Sequence, residues 1–206
     1  MIEQLQERMD GHKPAAVWNA LELLRRIINF SFKTNRCPAL DFQIEMPIKD
    51  NDVVEYLNPE ESERFLSVVK TWPDADVRNM APPTYITGMR RGEIFKLEER
   101  DIDFHLNLIH LRGPKGGKNT SIGLSDFAEN IINNQLAWKS RRFPESSYIF
   151  PGRTGRLRKD CSGVDKIKKK ARLPSTFRPF LGLRRRFAVA MANSGQFTMD
   201  MIATQQ

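Results

Sequence analysis

Residues 101–124, DIDFHLNLIHLRGPKGGKNTSIGL, break the helical apolar spacing that runs through most of this chain. Short apolar runs alternate there with Asn107 and with the glycine-rich stretch 113–118. Turn formers so placed predict strands near 101–104, 107–112 and 120–124. The flanking segments read mostly as helix. The expected fold class is therefore α+β, mostly helical, with a small three-stranded antiparallel sheet at one edge.

The first helix is the clearest. Residues 14–33 place Val17, Leu21, Leu24, Ile27, Ile28 and Phe32 at helical spacing. Asn35, Cys37 and Pro38 end it. Residues 41–58 then show no helical period and contain Pro47, so they read as an extended linker. One helix cannot make a domain alone. Residues 1–48 are expected to be the remnant of one domain plus linker, and 49–206 a second domain.

Asn58 followed by Pro59-Glu60-Glu61 marks a helix start: an N-cap, proline at N1, then acids favoured by the helix dipole. Pro73-Asp74 opens another helical segment, which Pro82-Pro83 are expected to interrupt. Further helices are expected at 91–97, from Ser125 to about 139, at 160–171 and at 180–193. The last places Leu183, Phe187, Ala190 and Met191 on one face and ends at Ser194-Gly195. A final helix is expected from Thr198.

Hydrophobic residues make up 40% of the 206, enough to bury a core. Cys37 and Cys161 lie far apart, and His12, His105 and His110 form no ligand pattern, so neither a disulfide framework nor a metal site is expected. The polar N-terminal stretch is not a signal peptide, and no apolar run approaches membrane-spanning length. The net charge of +8 is unevenly spread. Residues 141–186 hold 15 Lys/Arg against 3 Asp/Glu, whereas the remainder holds 18 against 22. That asymmetry suggests a polyanionic partner, nucleic acid or anionic lipid, with a solvated basic face as the alternative. The run KIKKKAR at 166–172 reads as a solvated face or a phosphate contact without sequence readout.

Three segments resemble, in order, the boxes of the tyrosine recombinase (phage integrase) family. TGMRRGEIFKLEERDID at 87–103 is similar to the family's first arginine box. PKGGKNTSIGLS at 114–125 is similar to its β-hairpin lysine segment, and LGLRRRFA at 181–188 to its second arginine box. The resemblance covers roughly residues 55–206. It implies an integrase-type catalytic domain, with the 14–33 helix ending an N-terminal DNA-clamping domain. It also implies site-specific DNA cleavage and rejoining through a phosphotyrosine intermediate. Carried over residue by residue, Arg90 and Arg184 bind the scissile phosphate and Lys115 protonates the departing 5′ oxygen. Lys118 competes with Lys115 for that role and is otherwise a DNA contact, as are Arg91, Arg185 and Arg186. Glu93, one helical turn after Arg90, is expected to steady it. The implied partners are double-stranded DNA and, in the intact parent, a homotetramer on paired sites. No cofactor, small-molecule substrate or membrane is implied. The setting is cytoplasmic, on DNA, of prokaryotic, phage or mobile-element origin.

The chemistry suits those residue types. Phosphodiester transfer builds negative charge on non-bridging oxygens, and a planar, permanently charged guanidinium offers several donors to them.

Three departures stand against the family pattern, one of them Arg185 where a histidine is common, which keeps positive charge and loses a titratable group. Leu181 occupies the place of the usual histidine. The only tyrosines, Tyr56, Tyr85 and Tyr148, all precede the second arginine box, so a nucleophile-less fragment truncated at its C-terminus is expected. A catalytically degenerate DNA-binding protein on the same scaffold is the alternative, and a basic RNA-binding or structural protein lies outside the family.

Overall fold

The computed structural model describes residues 11–39, 41–48, 56–113 and 119–195. The chain divides into two compact units between Val54 and Glu55. In the first, α1 (Pro14–Lys33) begins with proline at N1 and closes on Thr34, whose hydroxyl donates to the Phe30 carbonyl at 2.9 Å. Leu21 is buried as its spacing predicts, but Ile27 and Phe32 are half exposed, as are Leu23 and Phe30. Residues 41–48 contain no helix or strand. Phe42, Gln43 and Ile44 share a cavity with Arg25, Ile28 and Phe32 of α1.

The second unit opens with α2 (Pro59–Lys70) and α3 (Ala75–Thr87). Asn58 and Glu61 form a reciprocal capping box on α2, at 2.8 and 3.0 Å. Asp74 caps α3 by accepting from the Asp76 and Val77 amides. Contrary to the sequence expectation, α3 runs through Pro82-Pro83 to Thr87. Both prolines are buried, and α3 packs against two later helices. Tertiary packing of this kind overrides the proline penalty. The Thr87 hydroxyl also donates to the Pro83 carbonyl at 2.6 Å, closing the last turn.

Next come α4 (Arg91–Lys96), a 3₁₀ turn at Glu99–Asp101, and β1 (Ile102–Asp103), β2 (Leu108–Leu111) and β3 (Thr120–Gly123). The strands pair antiparallel in sequence order, Ile102 opposite Ile109 and Ile109 opposite Ile122. Period two puts Ile109, Leu111 and Ile122 into the core and leaves His110 facing Ser121, with Nδ1 and Oγ 2.8 Å apart. Asn107 turns the first hairpin with a φ of 54°. The strands are shorter than the sequence suggested, and their antiparallel pairing is as expected.

Three helices follow among the described residues: α5 (Asp126–Arg142), α6 (Ser162–Lys170) and α7 (Pro179–Asn193). Helix α3 lies against both α5 and α7. The core gathers Phe65, Met80, Ile94, Ile109, Ile132, Phe150, Ile167 and Leu183, drawn from nearly every element. The helix expected from Thr198 lies outside the described residues. The fold is a mostly helical α+β domain with one small antiparallel sheet.

Beneath the surface runs a polar network. Asp76 accepts from Gln135 Nε2 at 3.0 Å and pairs with Arg158. Gln135 also accepts from Asn79 at 3.2 Å and donates to the Ile149 carbonyl at 3.1 Å. Burial raises the Asp76 pKa despite the guanidinium beside it, because desolvating a carboxylate outweighs the attraction of one neighbour.

Candidate active site

The turn leaving α3 sets up the site. Gly88 caps α3 with a φ of 68°, a left-handed conformation that favours glycine. A Cβ at this position would lie 2.5 Å from the Phe187 ring of α7, so the turn and α7 approach more closely than any side chain permits. Arg90 follows as the N-cap residue of α4 in extended conformation. Its amide donates to Glu93 Oε2 at 2.7 Å, and its Nη1 donates to Glu93 Oε1 at 2.9 Å. Glu93 thus clamps main chain and side chain of Arg90 at once. The Arg90 side chain stays 37% exposed while Glu93 is 11% exposed, so the cation faces outward and its counter-ion does not.

Arg184 arrives from α7. The apolar face expected for that helix, Leu183, Phe187, Ala190 and Met191, does not include it. The structure instead counts it among the buried residues with Gly182 and Leu183. Close packing at Gly182, where a Cβ would meet the Phe177 ring at 2.0 Å, draws the start of α7 inward. The Arg184 Nη1 donates to the Gly88 carbonyl, a polar partner that lets a guanidinium sit there. Along the same helix Ala190 is exposed and Phe187 and Met191 are half-buried, so the apolar stripe is fully buried only in its first half.

Arg90 and Arg184 line one cleft of about 450 Å³, between α4, α6, α7 and the loop at 175–178. Arg91, Cys161, Asp165, Lys168, Arg178 and Leu181 also line it. Burial first, and the like charge of Arg90 second, push the Arg184 pKa below its ordinary value, with Glu93 opposing. Two guanidinium groups facing one space repel each other, and an anion between them relieves that repulsion.

Of the remaining expected residues that are described, Arg91 shares this cleft and the others do not. It is exposed, with Nη1 3.9 Å from Cys161 Sγ and its guanidinium 6.0 Å from the Phe95 ring. Arg186 turns away toward α2, its Nε 3.4 Å from Ser62 Oγ, and borders a different cavity. Arg185 is half-buried on α7. Lys115 and Lys118 lie outside the described residues. The residues just before their segment are described: His110, Arg112 and Gly113 line a second cavity of about 280 Å³ together with Arg90 and Glu93. Asn119 Oδ1 accepts from the Gly113 amide at 3.0 Å.

Sequence reasoning missed Asp165 and Arg178 as cleft residues, and it misassigned Lys168. The Lys168 ammonium donates to the Ser175 and Phe177 carbonyls at 2.7 and 2.9 Å, so it holds the cleft loop in place. No periodicity marks a loop residue such as Arg178. The only available signal was its position between two basic runs.

The sequence pattern of the phage integrase family matches residues 55–203, the unit that holds this cleft. The chain belongs to the phage integrase family. A putative integrase/recombinase, y4eF, of Sinorhizobium fredii is 29% identical over 141 residues, covering 68% of this chain and 52% of its own length. The tyrosine recombinase XerD of Listeria monocytogenes is 28% identical over 134 residues, covering 63% of this chain and 44% of its own. This chain therefore spans about half the length of these curated relatives. Among solved structures, the Tn1549 transposon integrase in complex with circular intermediate DNA matches with a TM-score of 0.76 at 16% identity, over 99% of this chain and 78% of that one. At that identity the likeness establishes the fold.

Proposed function

We propose that this integrase-family chain is the part of a site-specific DNA recombinase that grips the scissile phosphate. The observation that carries this reading is the convergence of Arg90, braced by Glu93, and Arg184, braced by Gly88, on one cleft. Negative charge growing on two non-bridging phosphate oxygens meets two fixed cations there, with no reorganisation at the moment of reaction. A tyrosine oxygen attacks phosphorus, the bond to the 5′ oxygen breaks, and a 3′-phosphotyrosine forms. Lys115, in the segment between β2 and β3, supplies the proton to the departing 5′ oxygen. Attack by a 5′ hydroxyl on the phosphotyrosine reverses the step and rejoins the strand. Bond energy is conserved throughout, so no cofactor is called for.

Tyr56, Tyr85 and Tyr148 are all among the described residues and none lines the cleft. In this reading the attacking tyrosine comes from polypeptide outside these 206 residues. The intact enzyme acts as a homotetramer on paired duplex sites, in the cytoplasm of a prokaryote or on behalf of a mobile element. Among the described residues no helix is long and apolar enough to cross a membrane.

A second reading rests on Leu181, which lines the cleft one helical turn before Arg184 and carries neither a donor nor a titratable group. It gives a protein that grips DNA through the same cleft and does not cleave it. Suicide DNA substrates and the intact protein separate the two. Cleavage that Arg90→Ala and Arg184→Ala each abolish supports the recombinase. Cleavage by the double variant contradicts the site. DNA binding without cleavage by the unsubstituted protein favours the second reading.

A further inference from the structure

One carboxylate is out of place in this cleft. Asp165 lines it together with Arg90, Arg91, Arg178 and Arg184, which bring only positive charge. It is exposed, and among the described residues it takes part in no ion pair, whereas Glu93 and Asp160 each have a cationic neighbour. An exposed acid beside a phosphate-binding surface opposes DNA binding unless it meets a hydrogen-bond donor of the nucleic acid. Phosphates and sugar–phosphate linkages offer none. The exocyclic amino groups of cytosine and adenine do, and they lie in the major groove.

The helix that carries Asp165 suits that groove. Val164 and Ile167 anchor α6 in the core, while Asp165, Lys166 and Lys169 are exposed on its outer side. An α-helix is about 10–12 Å across with its side chains, a width that a major groove about 12 Å wide admits. Lys166 and Lys169 are exposed on the same helix, Lys166 at the border of a separate cavity, and both can hold backbone phosphates. Because Asp165 and Arg184 border the same cleft, a duplex whose phosphate lies on Arg184 passes close to Asp165.

We infer that Asp165 is a base-reading residue, accepting a hydrogen bond from a cytosine amino group near the phosphate bound by Arg90 and Arg184. This inference rests on the recombinase reading of the cleft. An aspartate accepts from cytosine N4, whereas an asparagine pairs in bidentate fashion with adenine. The substitution Asp165→Asn therefore predicts a change of letter as well as a loss.

The test selects duplexes from a randomised pool with the unsubstituted 206-residue chain, Asp165→Asn, Asp165→Ala and Lys166→Ala/Lys169→Ala. The unsubstituted chain is expected to enrich cytosine at one position by about tenfold. Asp165→Asn moves that preference toward adenine, and Asp165→Ala flattens it. The double lysine variant keeps the letter and weakens binding to all duplexes, with a shallower salt dependence. Identical preferences in all four proteins overturn the inference. So does a uniform rise in affinity for every duplex on removing the Asp165 charge, which marks the acid as a repulsive surface charge only. Failure of every protein to retain duplex DNA overturns the recombinase reading itself, and the two failures are thereby distinguished.

Discussion

Two arginine–carboxylate pairs in the second unit use the same chemistry for opposite ends. In the core, Arg158 pairs with Asp76 and directs its Nε to the Phe150 carbonyl at 3.3 Å and its Nη2 also to the Pro151 carbonyl at 2.6 Å. Its Nη1 reaches the Asp160 carbonyl at 3.5 Å. All three nitrogens of that guanidinium are engaged within the protein. In the cleft, Arg90 commits one side-chain nitrogen to Glu93 among the described residues and remains 37% exposed. A guanidinium whose three nitrogens are all engaged by its own chain organises structure. One held by a single carboxylate, with donors turned to an open space, is positioned for a ligand.

The largest effect expected from breaking this comparison is on stability. Arg158→Ala leaves Asp76 buried and unpaired and is expected to cost about 3–5 kcal/mol, read as a fall in the urea midpoint. Arg90→Ala removes a pair with one partner half exposed, so it is expected to cost about 1 kcal/mol or less. If the two substitutions cost the same, the division into structural and functional arginines fails. Next in size is Gly182→Ala, whose Cβ overlaps the Phe177 ring and is expected to cost about 1–3 kcal/mol as overpacking. Because that contact seats Arg184, the variant should also weaken duplex binding at a temperature where it remains folded.

A smaller effect concerns DNA. Arg90→Ala is expected to weaken duplex binding by about tenfold, in line with the loss of a charge-assisted hydrogen bond, while Arg158→Lys leaves affinity unchanged once folded protein is matched. Fluorescence anisotropy at fixed salt reads both. The smallest effect is pH-dependent. The Ser162 amide and hydroxyl hold the exposed Asp160 carboxyl below its ordinary value of 3.8. A lowered carboxylate pKa adds stability above the unfolded value and loses it as pH falls through the folded one. Asp160→Asn should therefore be slightly less stable than the unsubstituted chain near neutral pH and equal to it in acid well below 3.8, by thermal melting.

Local chemistry made much of this fold legible beforehand. The Asn58 cap, the turn at Asn107 and the Ser125 start are short-range signals, and each stands where the sequence puts it. The passage of α3 through Pro82-Pro83 was not legible, because packing against α5 and α7 decides it. The same holds for the core network: nothing local ties Asp76 to Gln135 and Arg158, which are distant in sequence. At the cleft, the family's boxes pointed to Arg90 and Arg184. They did not show that Arg184 is buried, that Lys168 braces a loop, or that Asp165 shares the space. Those are tertiary facts, fixed by how α6 and α7 pack.

The central claim is that Arg90 and Arg184 together hold one DNA phosphate. A crystal structure of the 206-residue chain with a duplex tests it most directly. The account predicts a single backbone phosphate within hydrogen-bonding distance of both guanidinium groups, with Glu93 still bound to Arg90. A duplex seated on another face, with both arginines turned to solvent, would contradict it.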